Sequence, residues 1–89
     1  MPIYFFHITE GDQVVTDLEG TERPDIAAVQ KTAIESAGGL ITEAVRNGVR
    51  NYQGRFDVED EHGNPVLTLT FACPIQMEVR LPSEPARLQ

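Results

Sequence analysis

The sequence has little of what several classes of protein require. Cys73 is the only cysteine among 89 residues, so no disulfide can form within the chain, which indicates a reducing compartment. Lys and Arg number seven against fourteen Asp and Glu, which gives a net charge of −7. Since nucleic-acid binding normally needs a basic face, we expect no nucleic-acid partner. Three arginines do cluster around the end of the predicted helix, and we interpret them as solvated or ion-paired: Arg46, Arg50 and Arg55.

Long apolar runs are also missing. No stretch approaches the roughly 18 apolar residues that a membrane span needs, so we expect no membrane partner. The N-terminus lacks a basic region followed by an apolar core, and no signal peptide is expected. We therefore expect an acidic cytoplasmic protein made of one domain.

Residues that commonly carry catalysis are scarce. His7 and His62 are the only histidines, and Ser36 and Ser83 are the only serines. Neither histidine has a cysteine or histidine at zinc-ligand spacing, and no nucleophile elbow, phosphate-binding loop or dinucleotide fingerprint occurs. Cys73 stands among apolar residues, as a buried and unreactive thiol would. We predict no enzyme, no catalytic, cofactor-binding or metal-binding residues, and no cofactor.

One acidic segment deserves comparison with a metal site because it contains Asp57, Glu59, Asp60, Glu61 and His62. Its spacing does not match a calcium-binding loop: Gly63 falls at the seventh position from Asp57, and no glutamate follows at the twelfth. We interpret the segment as a solvated hairpin turn. A divalent-metal site at residues 57–62 is the alternative.

The central stretch predicts one long amphipathic helix from Ile26 to Asn47. Apolar residues recur every three or four positions, as on a single buried face. Pro24 and Asp25 are typical of a helix start, and Asn47-Gly48 is typical of its end. Gly38-Gly39 interrupts the pattern, which indicates a kink or a close approach to the sheet; a break into two helices is the alternative.

Short alternating segments on both sides of the helix predict strands. They cover residues 3–9, 13–17, 52–60 and 66–71, and a fifth edge strand is expected at 75–81 between Pro74 and Pro82. The predicted fold is α+β, with the order ββαββ, an antiparallel sheet and one long helix across one face. Residues 1–81 form the single α+β domain, and residues 82–89 form a flexible C-terminal tail. The acids of the 18–23 connection and its flank are expected to be solvated: Asp17, Glu19 and Glu22.

The predicted helix is too narrow for the predicted sheet. A helix is about 10 Å across, whereas four strands at about 4.8 Å spacing span nearly twice that width. The opposite face also carries apolar residues, at Ile3, Phe5 and Val66. We therefore expect a homodimer, with residues 75–81 as an exchanged or edge-pairing strand.

Several motifs resemble a family of short bacterial proteins known as a domain of unknown function. They are Tyr4-Phe5-Phe6-His7, Gly11-Asp12, residues 17–22 (DLEGTE), Pro24-Asp25-Ile26-Ala27-Ala28 and residues 60–67 (DEHGNPVL). The resemblance covers about residues 1–71. It supports the order of elements and implies no catalytic residues.

A weaker resemblance is to antitoxins of the HicB type, which neutralise small RNA-cleaving toxins of the HicA type. Those proteins also place an early hairpin and a Pro-Asp segment before a helix, and an acidic chain would suit a basic toxin. The usual DNA-binding extension is absent from this sequence. Our leading interpretation is a non-catalytic protein-interaction module that self-associates; the alternatives are an antitoxin-like module, with a basic toxin as its protein partner, and the metal site at 57–62.

Overall fold

The computed structural model describes residues 1–74 and 76–82. The elements follow one another as β1 (Ile3–Glu10), β2 (Gln13–Val15), β3 (Thr21–Glu22), α1 (Ile26–Arg46), β4 (Tyr52–Asp60), β5 (Pro65–Cys73) and β6 (Gln76–Arg80). All strand pairs are antiparallel, and the strand order in the sheet is β2-β1-β4-β5-β6. Both β2 and β3 pair with the outer edge of β1: β2 pairs with the end of β1 and β3 with its beginning. The predicted α+β fold is confirmed, with β3 as an additional strand within the 18–23 connection.

The helix begins and ends where its flanking residues predict. The Asp25 side chain accepts a hydrogen bond from the Ala28 N–H at 2.9 Å, which caps the first turn. Gly48 adopts a positive φ of 81° just beyond the last turn, where a residue with a side chain would be strained. The observed helix has 21 residues and ends one residue before the predicted end.

Gly38 and Gly39 lie inside this one continuous helix, so the alternative of a break into two helices is wrong. A Cβ atom at either position would meet nothing within 4 Å. The expectation that these glycines allow a close approach to the sheet is therefore also wrong. That role belongs to three buried alanines, whose short side chains let the helix lie against the sheet: Ala33, Ala37 and Ala44.

The core lies between the helix and one face of the sheet, which we call the inner face. Leu67, Leu69 and Phe71 of β5 are almost completely buried, as their alternation predicts. Phe56 and Val58 of β4 lie beside them, since Phe56 pairs with Leu69 and Val58 with Leu67. The helix packs mainly on β5 and less on β4, which leaves the strands at both edges without a helix above them.

Two predicted segments lie partly outside the described residues. The fifth strand is present as β6, within the predicted 75–81, but Ile75 is not among the described residues. Most of the predicted tail, including Ser83, also lies outside them. Among the residues that the structure describes, no helix combines the length and hydropathy needed to cross a membrane.

Candidate functional site

A polar cluster on the outer face of the sheet joins β1 to the connection that precedes β3. The Asp17 backbone N–H donates a hydrogen bond to His7 Nδ1 at 3.0 Å, so that nitrogen carries no proton. The proton of the neutral ring is then on Nε2, which lies 3.3 Å from Glu59 Oε1 on β4. His7 is therefore a hydrogen-bonded imidazole that links β1 to β4 and to the connection.

Asp17 is an anchor for this connection, and the expectation that its carboxylate is solvated is wrong. Its Oδ2 accepts the Phe6 N–H at 3.0 Å, and its Oδ1 accepts the N–H groups of Glu19 and Gly20, each at 3.1 Å. Partial burial by itself would raise the pKa of Asp17, but these three backbone donors outweigh it and the nearby His7 adds to their effect, so the pKa is lowered. Asp17 therefore holds the backbone of the connection in place as a carboxylate.

The connection anchored by Asp17 covers the apolar residues of the outer face. Gly20 has a φ of 77°, and a Cβ there would lie 2.6 Å from Ile3 Cγ2 and 3.0 Å from the Phe5 ring. Only glycine permits both this backbone conformation and this approach. Because residues of the same chain cover Ile3 and Phe5, these side chains do not by themselves require a second copy of the protein. The sequence signal for this turn is an aspartate three residues before a glycine, which is typical of Asx turns.

Three of the four carboxylates of the acidic hairpin have partners on the protein. Asp57 pairs with Arg55 at 2.9 Å and accepts the Thr68 hydroxyl at 3.3 Å, while Glu59 lies beside His7. Asp60 Oδ1 accepts the backbone N–H groups of His62 and Asn64. The Asn64 N–H is the main cause of the lowered pKa of Asp60. Within residues 1–74 and 76–82, no group of three or more His, Cys, Asp or Glu side chains is arranged to hold a metal ion.

The other residues considered as candidates lie apart from this cluster. Cys73 ends β5 and is only half-buried against the core, so it is more accessible than predicted. Arg46 lies 3.9 Å from Glu43 on the helix surface, whereas Arg55 is on β4. The two arginines therefore belong to different elements and do not form a basic patch together.

An open concavity of about 510 Å³ lies where β4, β5 and β6 meet near the β1–β2 turn. Its lining includes neutral polar side chains and one charged residue of each sign: Thr9, Gln53, Thr70, Arg55 and Glu78. It contains no histidine or cysteine, and Arg55 is already paired with Asp57. The lining supplies neither a nucleophile with a base nor a set of metal ligands.

A second set of exposed apolar side chains lies on one flank of the helix and on the inner face at β6. Ile34 and Val45 lie on the flank of the helix that is opposite Thr32. The Thr32 hydroxyl accepts a hydrogen bond from Arg23, the residue that follows β3. On β6, Met77 pairs with Phe71 of the inner face, and Leu81 follows it with the same alternation. The exposed fractions are 37% for Ile34, 54% for Val45, 40% for Met77 and 56% for Leu81. We call these four residues the β6-side apolar surface.

The comparisons with known proteins give a family and no activity. No curated protein and no solved structure matches the chain. The model of one protein family, described as "Domain of unknown function (DUF6894)", matches residues 3–72. This range contains the anchored connection, the helix and both long hairpin strands, and it ends before β6. Because the match spans well over half of the chain, the protein belongs to the DUF6894 family of domains of unknown function.

Proposed function

We propose that this protein is a non-catalytic protein-interaction module that associates with a second copy of itself. The observation that supports this proposal is the β6-side apolar surface. Ile34, Val45, Met77 and Leu81 are all more than one third exposed, two of them on the helix flank opposite Thr32 and two on the inner-face side of the chain at β6. Exposed apolar patches of this kind on small proteins commonly mark interaction sites.

The position of the helix explains why this surface exists. The helix packs on β5 and β4, so it covers the centre of the sheet. Val79 of β6 is half-buried against the core, whereas Met77 on the same strand is 40% exposed. A second copy would remove these side chains from water at about 25 cal/mol for each Å² of apolar area buried.

The alternatives have less support. For the metal alternative at residues 57–62, three of the four carboxylates, those of Asp57, Glu59 and Asp60, already have a partner within the protein. The antitoxin alternative, with a basic toxin as protein partner, derives from the acidic net charge of −7 and from the weak sequence resemblance. A cytoplasmic location, a homodimeric state and a bacterial origin remain parts of the proposal.

Sedimentation velocity over a range of protein concentrations tests the proposal. We expect the sedimentation coefficient to rise with concentration towards that of a dimer. The double variant Ile34→Ser, Met77→Ser should shift this transition to higher concentration, because it makes the β6-side apolar surface polar. A control double variant at the opposite edge, Val14→Ser and Leu18→Ser, changes apolar residues that are even more exposed, at 64% and 84%, and should leave the transition in place. Monomeric wild-type protein at all concentrations would refute the proposal.

A further inference from the structure

We propose that the second copy binds by pairing its β6 with β6 of the first, antiparallel, about a two-fold axis that passes through Val79. This inference rests on the proposed self-association, and it specifies the partner surface and the register. The two sheets would then form one continuous sheet with both helices on the same face.

The two edges of the sheet differ in how open they are to a new strand. One edge consists of β2 and β3, which have three and two residues and are separated by the anchored connection. The other edge is β6, whose five residues pair with β5 in an unbroken register without a bulge. No proline lies between Gln76 and Arg80. A regular edge strand is a template for another strand, and among residues 1–74 and 76–82 the strand β6 is the edge that meets this description.

The charges on β6 select the register. Glu78 and Arg80 lie on the outer face, and their side chains are 3.3 Å apart within one chain. A two-fold axis through Val79 places Glu78 opposite Arg80 of the second copy, twice by symmetry. An axis through Glu78 or through Arg80 would place like charges opposite each other, and an axis through Met77 would pair neither charge with its opposite. The Val79 register is thus the one with complementary charges.

The same register matches the apolar residues of the inner face. With the axis through Val79, Met77 lies opposite Leu81 of the second copy, again twice by symmetry. A register shifted by one residue would place inner-face residues opposite outer-face residues and would put the two helices on opposite faces. The Val79 register therefore joins the β6-side apolar surfaces of both copies on one face.

The space between the two helices fits these side chains. Each helix lies mainly over β5, so the sheet between the two helices would contain three strand spacings, or about 14 Å. A helix with its side chains is about 10 Å across, which leaves roughly 4 Å between the helix surfaces. A gap of this size holds about one layer of side chains, and Met77 of each copy lies on the inner face of the sheet below it.

Charge reversal tests the register. In Glu78→Arg the strand carries two positive charges, and in Arg80→Glu it carries two negative charges. Each variant alone should dimerise about tenfold more weakly or worse than wild type, because like charges now face each other. An equimolar mixture of the two should regain near wild-type affinity as a heterodimer, although each chain has lost its own Glu78–Arg80 ion pair. The matched controls Glu43→Arg and Arg46→Glu reverse a similarly exposed pair on the helix and should change the dimer dissociation constant less than twofold.

Cross-linking gives an independent measure of the register. Directly opposite residues in an antiparallel pair have Cα atoms about 4.5–5.5 Å apart, within the range of a disulfide. In a Cys73→Ser background, Val79→Cys should therefore form a covalent dimer on mild oxidation. Glu78→Cys should form much less, because residue 78 of each copy is diagonal to its counterpart at about 7–8 Å.

The outcomes separate the two proposals. A wild-type protein that is monomeric at all concentrations refutes self-association and this inference with it. A wild-type dimer that neither responds to charge reversal nor cross-links through Val79→Cys refutes the β6 register and leaves self-association standing. Preferential cross-linking through Glu78→Cys would likewise overturn the Val79 axis.

Discussion

Replacing Asp17 by asparagine should destabilise the protein far more than its half-exposed position suggests. Both carboxylate oxygens accept backbone N–H groups: Oδ2 that of Phe6, and Oδ1 those of Glu19 and Gly20. An asparagine has one acceptor oxygen, so its NH₂ group must face at least one of these donors. Losing a hydrogen bond to a charged group costs about 1.5–3 kcal/mol, and the remaining bonds become neutral and weaker. We expect the free energy of unfolding to fall by about 3 kcal/mol.

Asp60 provides the matched control. Its Oδ1 alone accepts both backbone N–H groups, those of His62 and Asn64. The oxygen of an asparagine can take over this role, so Asp60→Asn should be clearly milder than Asp17→Asn. Urea unfolding followed by circular dichroism measures both variants. If the two variants lose the same stability, the two-sided anchoring by Asp17 is refuted.

The difference in unfolding free energy between wild type and Asp17→Asn should change with pH in one direction only. Because the pKa of Asp17 is lowered in the folded state, its contribution is fully present above the ordinary carboxyl pKa of 3.8. This contribution is lost as the pH falls from 3.8 through the lower pKa that Asp17 has in the folded state. The difference in unfolding free energy between wild type and Asp17→Asn should therefore be constant near neutral pH and should shrink in acid. A difference that grows as the pH falls would contradict the assignment.

Three further substitutions test other parts of the structure by urea unfolding. Gly39→Ala should stabilise the protein by about 1 kcal/mol, because the site is inside the helix and open space surrounds it; a loss of stability would show that the site is constrained. Gly54→Ala should cost about 1–3 kcal/mol, because its methyl group would lie 2.5 Å from the buried Phe71 ring; an unchanged stability would mean that the ring moves freely. Burial, together with the hydrogen bond to Glu10, raises the pKa of Tyr52. The folded state therefore keeps the phenol proton while the unfolded chain loses it above pH 10, so wild type should lose stability there and Tyr52→Phe should lose less; equal losses would remove Tyr52 as the cause.

Sequence patterns predicted much of the architecture because the relevant signals are local. The alternation of Leu67, Leu69 and Phe71 requires only that one face of a strand be buried. The capping role of Asp25 and the positive φ after the helix follow from backbone groups within a few residues. The same reasoning was wrong for Gly38-Gly39, since the distance between a helix and a sheet depends on which residues face the sheet, and alanines do so.

The residues of the outer-face cluster were not grouped by sequence reasoning. His7 and Glu59 are 52 positions apart and meet because β1 pairs with β4. Asp17 was taken for a solvated acid because it stands in a polar segment. An aspartate followed by glycine at the third position was the available signal, and it concerns only the turn. The bond from Asp17 to the Phe6 N–H depends on the path that the connection takes over the sheet.

By itself, the sequence determined the number and order of the main elements, the ends of the helix and the residues of the core. Those properties depend on hydrophobic periodicity and on side chains close to the backbone groups that they satisfy. The tertiary structure decided where the helix lies on the sheet, which carboxylates are anchors and which edge is left open. These depend on contacts between residues far apart in the chain, so neither the β6-side apolar surface nor the charge register of β6 is visible until the strands are placed side by side.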